Sequence, residues 1–288
     1  MRRAFLAEPT PIGCRPAGVR LFQIVRSMKQ AIKWLLTRIP GGVRIRRALN
    51  YYRTKWKLRH FKNIEALFTH YYRENVWGDN ESVSGSGSTI KYTENIRKRV
   101  PVLLEQLDVR RILDAPCGDY NWFRLIPIKN NIHYMGGDIV EPLITRNQSL
   151  YGNENTEFFK LDITRNRLPQ ADLWICRDCL FHFSNEMIFR TLVNFLKSDI
   201  RYFLTSIYPE CQFNTDIATG SFRFLNLQLP PFDFSKPLLL IDDWIEGCTV
   251  RQMGLWERET LSRTLFSNKA LQRTSSFPRI WLPQRGHG

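Results

Sequence analysis

The chain has 288 residues, 43% of them hydrophobic, which is enough to bury a full core and excludes a fibrous or mostly disordered protein. Its net charge of +15 is confined to one end: residues 1–62 hold 16 of the 42 Lys and Arg against a single acid, Glu8, while 26 basic and 26 acidic residues balance over 63–288. The basic character therefore describes an N-terminal arm and leaves the main domain neutral.

In chain order, Leu21, Val25, Met28, Ile32, Leu35 and Ile39 recur at steps of four and three, which predicts one apolar helix face stopped by Pro40-Gly41-Gly42. Charge interrupts the stretch too often for a bilayer span. A second basic helix with Tyr51, Tyr52 and Trp56 is expected after the break. The arm, residues 1–73, fits an anionic membrane surface through 20–62, docking on the protein's own core or a partner, or an organelle presequence. Nucleic acid is the weaker reading, because no recognised RNA motif accompanies the basic and aromatic residues.

From residue 94 the pattern becomes short apolar runs alternating with helical ones. A helix over Glu94–Leu107 precedes a strand at Arg111-Ile112-Leu113, and Ile132–Met135 gives a second strand with a helix after Pro142. Glu157–Lys160 and Ala171–Cys176 are the third and fourth, Ser184–Leu196 is a helix, and Arg201–Ile207 is the fifth strand. Leu238–Ile241 and Met253–Trp256 read as a final hairpin, and 259–288 as a tail. Such alternation implies parallel pairing with right-handed crossovers, and a ligand beyond the carboxyl ends of the strands. Cys176 and Cys179 have the spacing of a zinc or redox pair but lack a second Cys/His pair. We read them as buried thiols in a reducing, cytoplasmic setting, since no secretory leader is seen, and expect no metal.

Asp114, Asp138, Asp162 and Asp178 each stand just past a strand end. One such acid is usually a helix cap, but four on one rim repel one another unless a ligand needs them. A nucleoside with two ribose hydroxyls, an exocyclic amine and positive charge meets that need. Asp138 would accept from the ribose diol, Asp162 from the adenine amine, and Gly118 would let the backbone come close. A nicotinamide cofactor fits less well: no GxGxxG opens the first crossover, and an acid there repels pyrophosphate.

Asp114-Ala115-Pro116-Cys117-Gly118-Asp119-Tyr120 resembles the first motif of class I S-adenosylmethionine-dependent methyltransferases. Asp138 matches their acid after the second strand, Asp162-Ile163 their adenine-side motif, and Asp178-Cys179-Leu180-Phe181-His182 the segment after their fourth strand. The resemblance covers about residues 74–257 and includes Trp77, the Ser84–Ser88 run and the Asn121-Trp122 pair; it is to an uncharacterised bacterial-type subfamily. It departs at Pro116 and at Tyr120, where glycines are usual. The resemblance implies a Rossmann-like methyltransferase fold, with a mostly parallel seven-stranded sheet and helices on both faces, over 74–258. It implies S-adenosyl-L-methionine as cofactor, held by Asp114, Pro116, Gly118, Asp119, Tyr120, Asp138, Ile139, Asp162, Ile163 and Arg177. It implies methyl transfer by in-line displacement to a small-molecule or glycan- or lipid-linked acceptor. The base candidates are Asp178, His182 and Tyr120, with Asp178 the stronger and His182, between two phenylalanines, also readable as structural. The polar run 78–89 is expected to fold over the cofactor, and the long connection 214–237 to help form the acceptor pocket. The competing reading is a non-catalytic cofactor-binding scaffold whose working part is the arm.

Overall fold

The computed structural model describes residues 51–53, 56, 58 and 60–267. The arm helix expected over 21–39 and its Pro40-Gly41-Gly42 stop lie outside the described residues, as does the tail beyond 267. The chain divides after residue 56, and the sheet, its helices and the cavity all belong to the second unit.

One sheet contains seven strands: β1 (Arg111–Asp114), β2 (His133–Asp138), β3 (Thr156–Lys160), β4 (Leu173–Cys176), β5 (Tyr202–Ile207), β6 (Leu239–Asp242) and β7 (Gln252–Glu257). Their order is β3-β2-β1-β4-β5-β7-β6. The first five pair in parallel, and β7 runs antiparallel to both β5 and β6. The helices are α1 (Ile64–Arg73), α2 (Glu94–Gln106), α3 (Glu141–Tyr151), α4 (Asn185–Leu196) and α5 (Arg258–Ser267).

The central strands are apolar on both sides because both sides are covered. Alternate residues sort to opposite faces, as the strand period of two requires. Leu113, Trp174, Cys176 and Phe203 pack with Ile188, Leu192 and Phe195 of α4 and Leu261 of α5. Ile112, Leu173, Ile175 and Leu204 pack instead with Ile96, Val100, Leu103 and Leu104 of α2. Helix α4 starts where the Ser184 hydroxyl accepts from the Met187 N–H, satisfying one orphan donor of the first turn. Helix α1, capped by Asn63 Oδ1 at the Ala66 N–H, lies over one end of the sheet. Its Glu65 pairs with Lys160, its Phe68 ring meets Phe183, and the Tyr71 hydroxyl donates to the Gly220 carbonyl.

Among the described residues, no helix is long and apolar enough to cross a membrane. Cys176 and Cys179 are buried free thiols, and no three His, Cys, Asp or Glu side chains among those residues cluster as metal ligands.

Candidate functional site

Strands β1 and β4 are neighbours, yet the chain leaves β1 toward β2 and β4 toward β5, on opposite sides. That divergence opens a crevice at their carboxyl ends, the general ligand position of doubly wound sheets. A cavity of about 530 Å³ lies there, within the range of small-ligand pockets.

The turn after β1 forms its floor. Gly118 has φ +55°, and a Cβ there would collide with the Ser84 hydroxyl, so a glycine is needed for conformation and for space. Its amide donates to Asp138 Oδ2 at 3.2 Å while the Val140 amide donates to Oδ1 at 3.0 Å. The Asp138 carboxylate at the end of β2 is thus fixed from behind by two backbone donors. Burial nonetheless raises its pKa to about 6, those amides only partly offsetting it. Asp114 is buried beside it, with Oδ2 accepting from the Tyr134 hydroxyl at 2.8 Å, and burial lifts it to about 7. Ionising either acid in the free protein is costly, and a positive charge placed beside them would lower that cost.

Asp162 also lines the cavity, but its carboxylate caps its own turn. Oδ1 accepts from the amide and hydroxyl of Thr164, and Oδ2 pairs with Arg165 at 2.8 Å. Pro116, Ile139 and Ile163 contribute wall surface. Asp119 and Tyr120 do not line the cavity. The Asp119 carboxylate accepts from the Ser82 hydroxyl, the Val83 amide and the Ser84 hydroxyl, which ties the 82–88 segment onto the motif turn. Tyr120 has φ +58°, and its ring is turned into the core against Phe123, Tyr134 and Phe158. The tyrosine occupies the motif position without reaching the crevice.

Past β4 the site is ionic. Arg177 makes a two-point pair with Asp243 at 2.9 Å for each contact, reaches Asp178 at 3.3 Å, and donates to the Gly87 carbonyl at 2.6 Å. Arg251 reaches Asp178 at 2.7 Å and Asp243 at 3.0 Å. Burial works to raise Asp178, but Arg177 and Arg251 outweigh it and hold the carboxyl below its ordinary range. The Ser206 hydroxyl supports it, accepting from the Asp178 amide and donating to its Oδ1. His182 lines the same end; its Nδ1 lies 2.8 Å from the Ser221 carbonyl, and burial lowers its pKa. A carbonyl can only accept, so Nδ1 carries the proton and the neutral ring keeps its lone pair on Nε2. The sequence reading missed Arg251 and Asp243, and with them two cavity-lining rings, Tyr92, which lies 4.7 Å from the Arg251 guanidinium, and Tyr208. Only the acid pair Asp242-Asp243 after a strand gave any signal for one of them.

The strand order, with its antiparallel seventh strand, and the crevice at the switch point fix the architecture. The fold is the Rossmann-like methyltransferase fold. No family model matches the chain, and no curated protein matches its sequence. Solved structures similar to it include a bacterial Hen1 methyltransferase domain (11% identity, 59% of this chain and 100% of that one, TM-score 0.44). Another is magnesium protoporphyrin IX methyltransferase from Synechocystis with bound S-adenosylhomocysteine (17%, 71% and 99%, TM-score 0.44). A third is the Burkholderia thailandensis 1,6-didemethyltoxoflavin-N1-methyltransferase (15%, 58% and 80%, TM-score 0.43). At such identity and overlap they carry nothing about this chain's own acceptor.

Proposed function

We propose that this chain is an S-adenosylmethionine-dependent methyltransferase acting on a small-molecule acceptor. The observation that carries the reading is the Asp138 carboxylate, held by the amides of Gly118 and Val140 at the lip of a crevice that it shares with buried Asp114. A ribose diol offers two donors to a carboxylate already oriented, and a sulfonium beside buried acids gains what water would otherwise supply. Ile139 and Ile163 offer apolar flanks for adenine, and spare lone pairs of Asp162 suit its amine. Arg177 has its donors committed to Asp243, Asp178 and Gly87, so it serves to hold the wall in place.

Bound there, S-adenosylmethionine would supply an activated methyl group with a neutral thioether leaving group. The chain's own task is then alignment, exclusion of water and handling of the acceptor's proton. Neutral His182, with its Nε2 lone pair free to accept, suits that proton. Asp178 suits it poorly, because two guanidinium groups make its carboxylate a weak base.

Calorimetric titration with S-adenosylmethionine tests the proposal. Binding in the micromolar range is expected for the wild-type chain and its loss in Asp138→Ala. No binding to the wild-type protein would remove the reading.

A further inference from the structure

The acceptor end of the cavity differs in kind from the end that holds the acids. Trp77, Phe181, His182, Tyr208, Phe222 and Phe224 form a continuous wall of rings there. His182 lies 4.7 Å from Phe181, 5.9 Å from Phe222 and 6.0 Å from Trp77, centroid to centroid. Tyr208 meets Phe224 at 4.9 Å and Phe222 at 6.0 Å, both edge to face.

Two of these rings are built to stay uncovered. Phe222 and Phe224 are two residues apart and lie on one side of the run, their ring centroids 5.4 Å from each other. Arg223 between them points inward, donating to the Phe183 carbonyl and to Asn185 Oδ1, which anchors the run. The rings remain 51% and 48% exposed at the cavity edge. Apolar rings left half-exposed beside a pocket mark an interaction surface, and their preferred partners are other rings, stacked with an offset or met edge to face. The charged groups at this end cancel: Asp178 and Arg251 are paired at 2.7 Å, so neither selects an ion. Among the rings stand the Tyr208 hydroxyl, the Trp77 indole N–H and a neutral imidazole, of which the imidazole alone offers a basic nitrogen.

Resting on the methyl-transfer reading, we infer that the acceptor is an uncharged planar aromatic compound carrying a hydroxyl group. It packs its ring faces and edges against Phe222, Phe224 and Tyr208, and presents its hydroxyl to His182. Sugars and saturated lipids lack the ring that this wall complements.

The test uses the full chain saturated with S-adenosylhomocysteine, titrated calorimetrically with 2-naphthol, decahydro-2-naphthol and methyl glucoside. Expected is binding of 2-naphthol at least about tenfold tighter than either other probe, since aromatic pairs contribute beyond their buried area. The Phe222→Ala/Phe224→Ala double variant should lose about that factor for 2-naphthol while keeping its affinity for S-adenosylhomocysteine, which also reports that it is folded. Equal affinity for the saturated alcohol, preference for the glucoside, or no binding of 2-naphthol by the loaded protein overturns this inference alone. Failure of S-adenosylhomocysteine to bind the wild-type chain overturns the methyl-transfer reading and this one with it.

Discussion

His182 carries two constraints that make its chemistry predictable. Its Nδ1 proton is committed to the Ser221 carbonyl, and burial keeps the ring neutral at neutral pH. Replacing it with Gln keeps a polar side chain of similar reach but removes the basic nitrogen. His182→Gln should lower kcat by about 10²–10⁴-fold, the usual worth of a positioned base, with cofactor affinity unchanged. Wild-type activity should fall as pH drops through the lowered His182 pKa, because the protonated ring has no lone pair to offer, and the variant should lack that acid limb. An unchanged kcat would place the proton elsewhere. The residues that the sequence made legible are those with a positional rule. Asp114 and Asp138 close their strands, Asp162 and Asp178 stand two residues past theirs, and successive parallel strands share a rim. Arg251 had no such rule: its partner Asp178 is 73 residues away, and only the packed sheet brings them to 2.7 Å. Tyr120 shows the converse, since a motif position fixed its place in the chain but the left-handed backbone there decided where its ring went.

The 82–88 segment is a loop that closes in a single 3-10 turn over Ser86–Ser88, and two anchors define it. Asp119 accepts three hydrogen bonds from Ser82, Val83 and Ser84, and Arg177 donates to Gly87. Gly87 has no room for a side chain, because a Cβ there would stand 2.7 Å from Asp178 Oδ2. Asp119→Ala should release the first anchor, weakening S-adenosylmethionine binding by about tenfold and accelerating hydrogen exchange at the Val83 and Ser84 amides, since bonds to a carboxylate are each worth about 1.5–3 kcal/mol. Unchanged exchange would show that the segment is held without Asp119. The last hairpin is tied in by charge. Asp243→Ala leaves Arg177 and Arg251 short of a buried partner, so a loss of about 3–5 kcal/mol in urea denaturation is expected. A loss below about 1 kcal/mol would mean that water or Asp178 compensates. Strands and helices were readable because periodicity is local: the strands at 111–114 and 202–207 sit within one residue of their expected places, and the one at 133–138 starts one residue late and ends three residues late. The 214–237 connection was readable as too long for a simple link and as a candidate pocket wall, but its path was not. Its shape comes from contacts such as Arg223 with Phe183 and Asn185, which join positions about 40 residues apart and leave no periodic trace.

At the scale of the whole molecule, the site works against the fold. Parallel strands covered on both faces put their carboxyl ends in a dry crevice, and the acids placed there are ionised only at a cost in stability. The unfolded chain returns each to the ordinary 3.8, whereas folding raises Asp138 to about 6 and Asp114 to about 7, burial being the cause in both. Between those limits the folded state binds more protons than the unfolded one. These two acids therefore contribute a fall in the stability of the ligand-free protein as pH rises from about 4 to about 7, by at most about 1.4 kcal/mol per pH unit for each. Asp138→Asn removes one of the two contributions and should flatten that slope, which urea denaturation series at about pH 5 and pH 7 would measure for both proteins. A bound cation stabilises the ionised carboxylates, so the thermal stabilisation conferred by saturating S-adenosylmethionine should grow over the same interval in the wild-type protein and grow less in the variant. Parallel slopes in the two proteins would mean that Asp138 is ionised in the fold without penalty, and the crevice would then be wet and no socket for a cationic nucleoside.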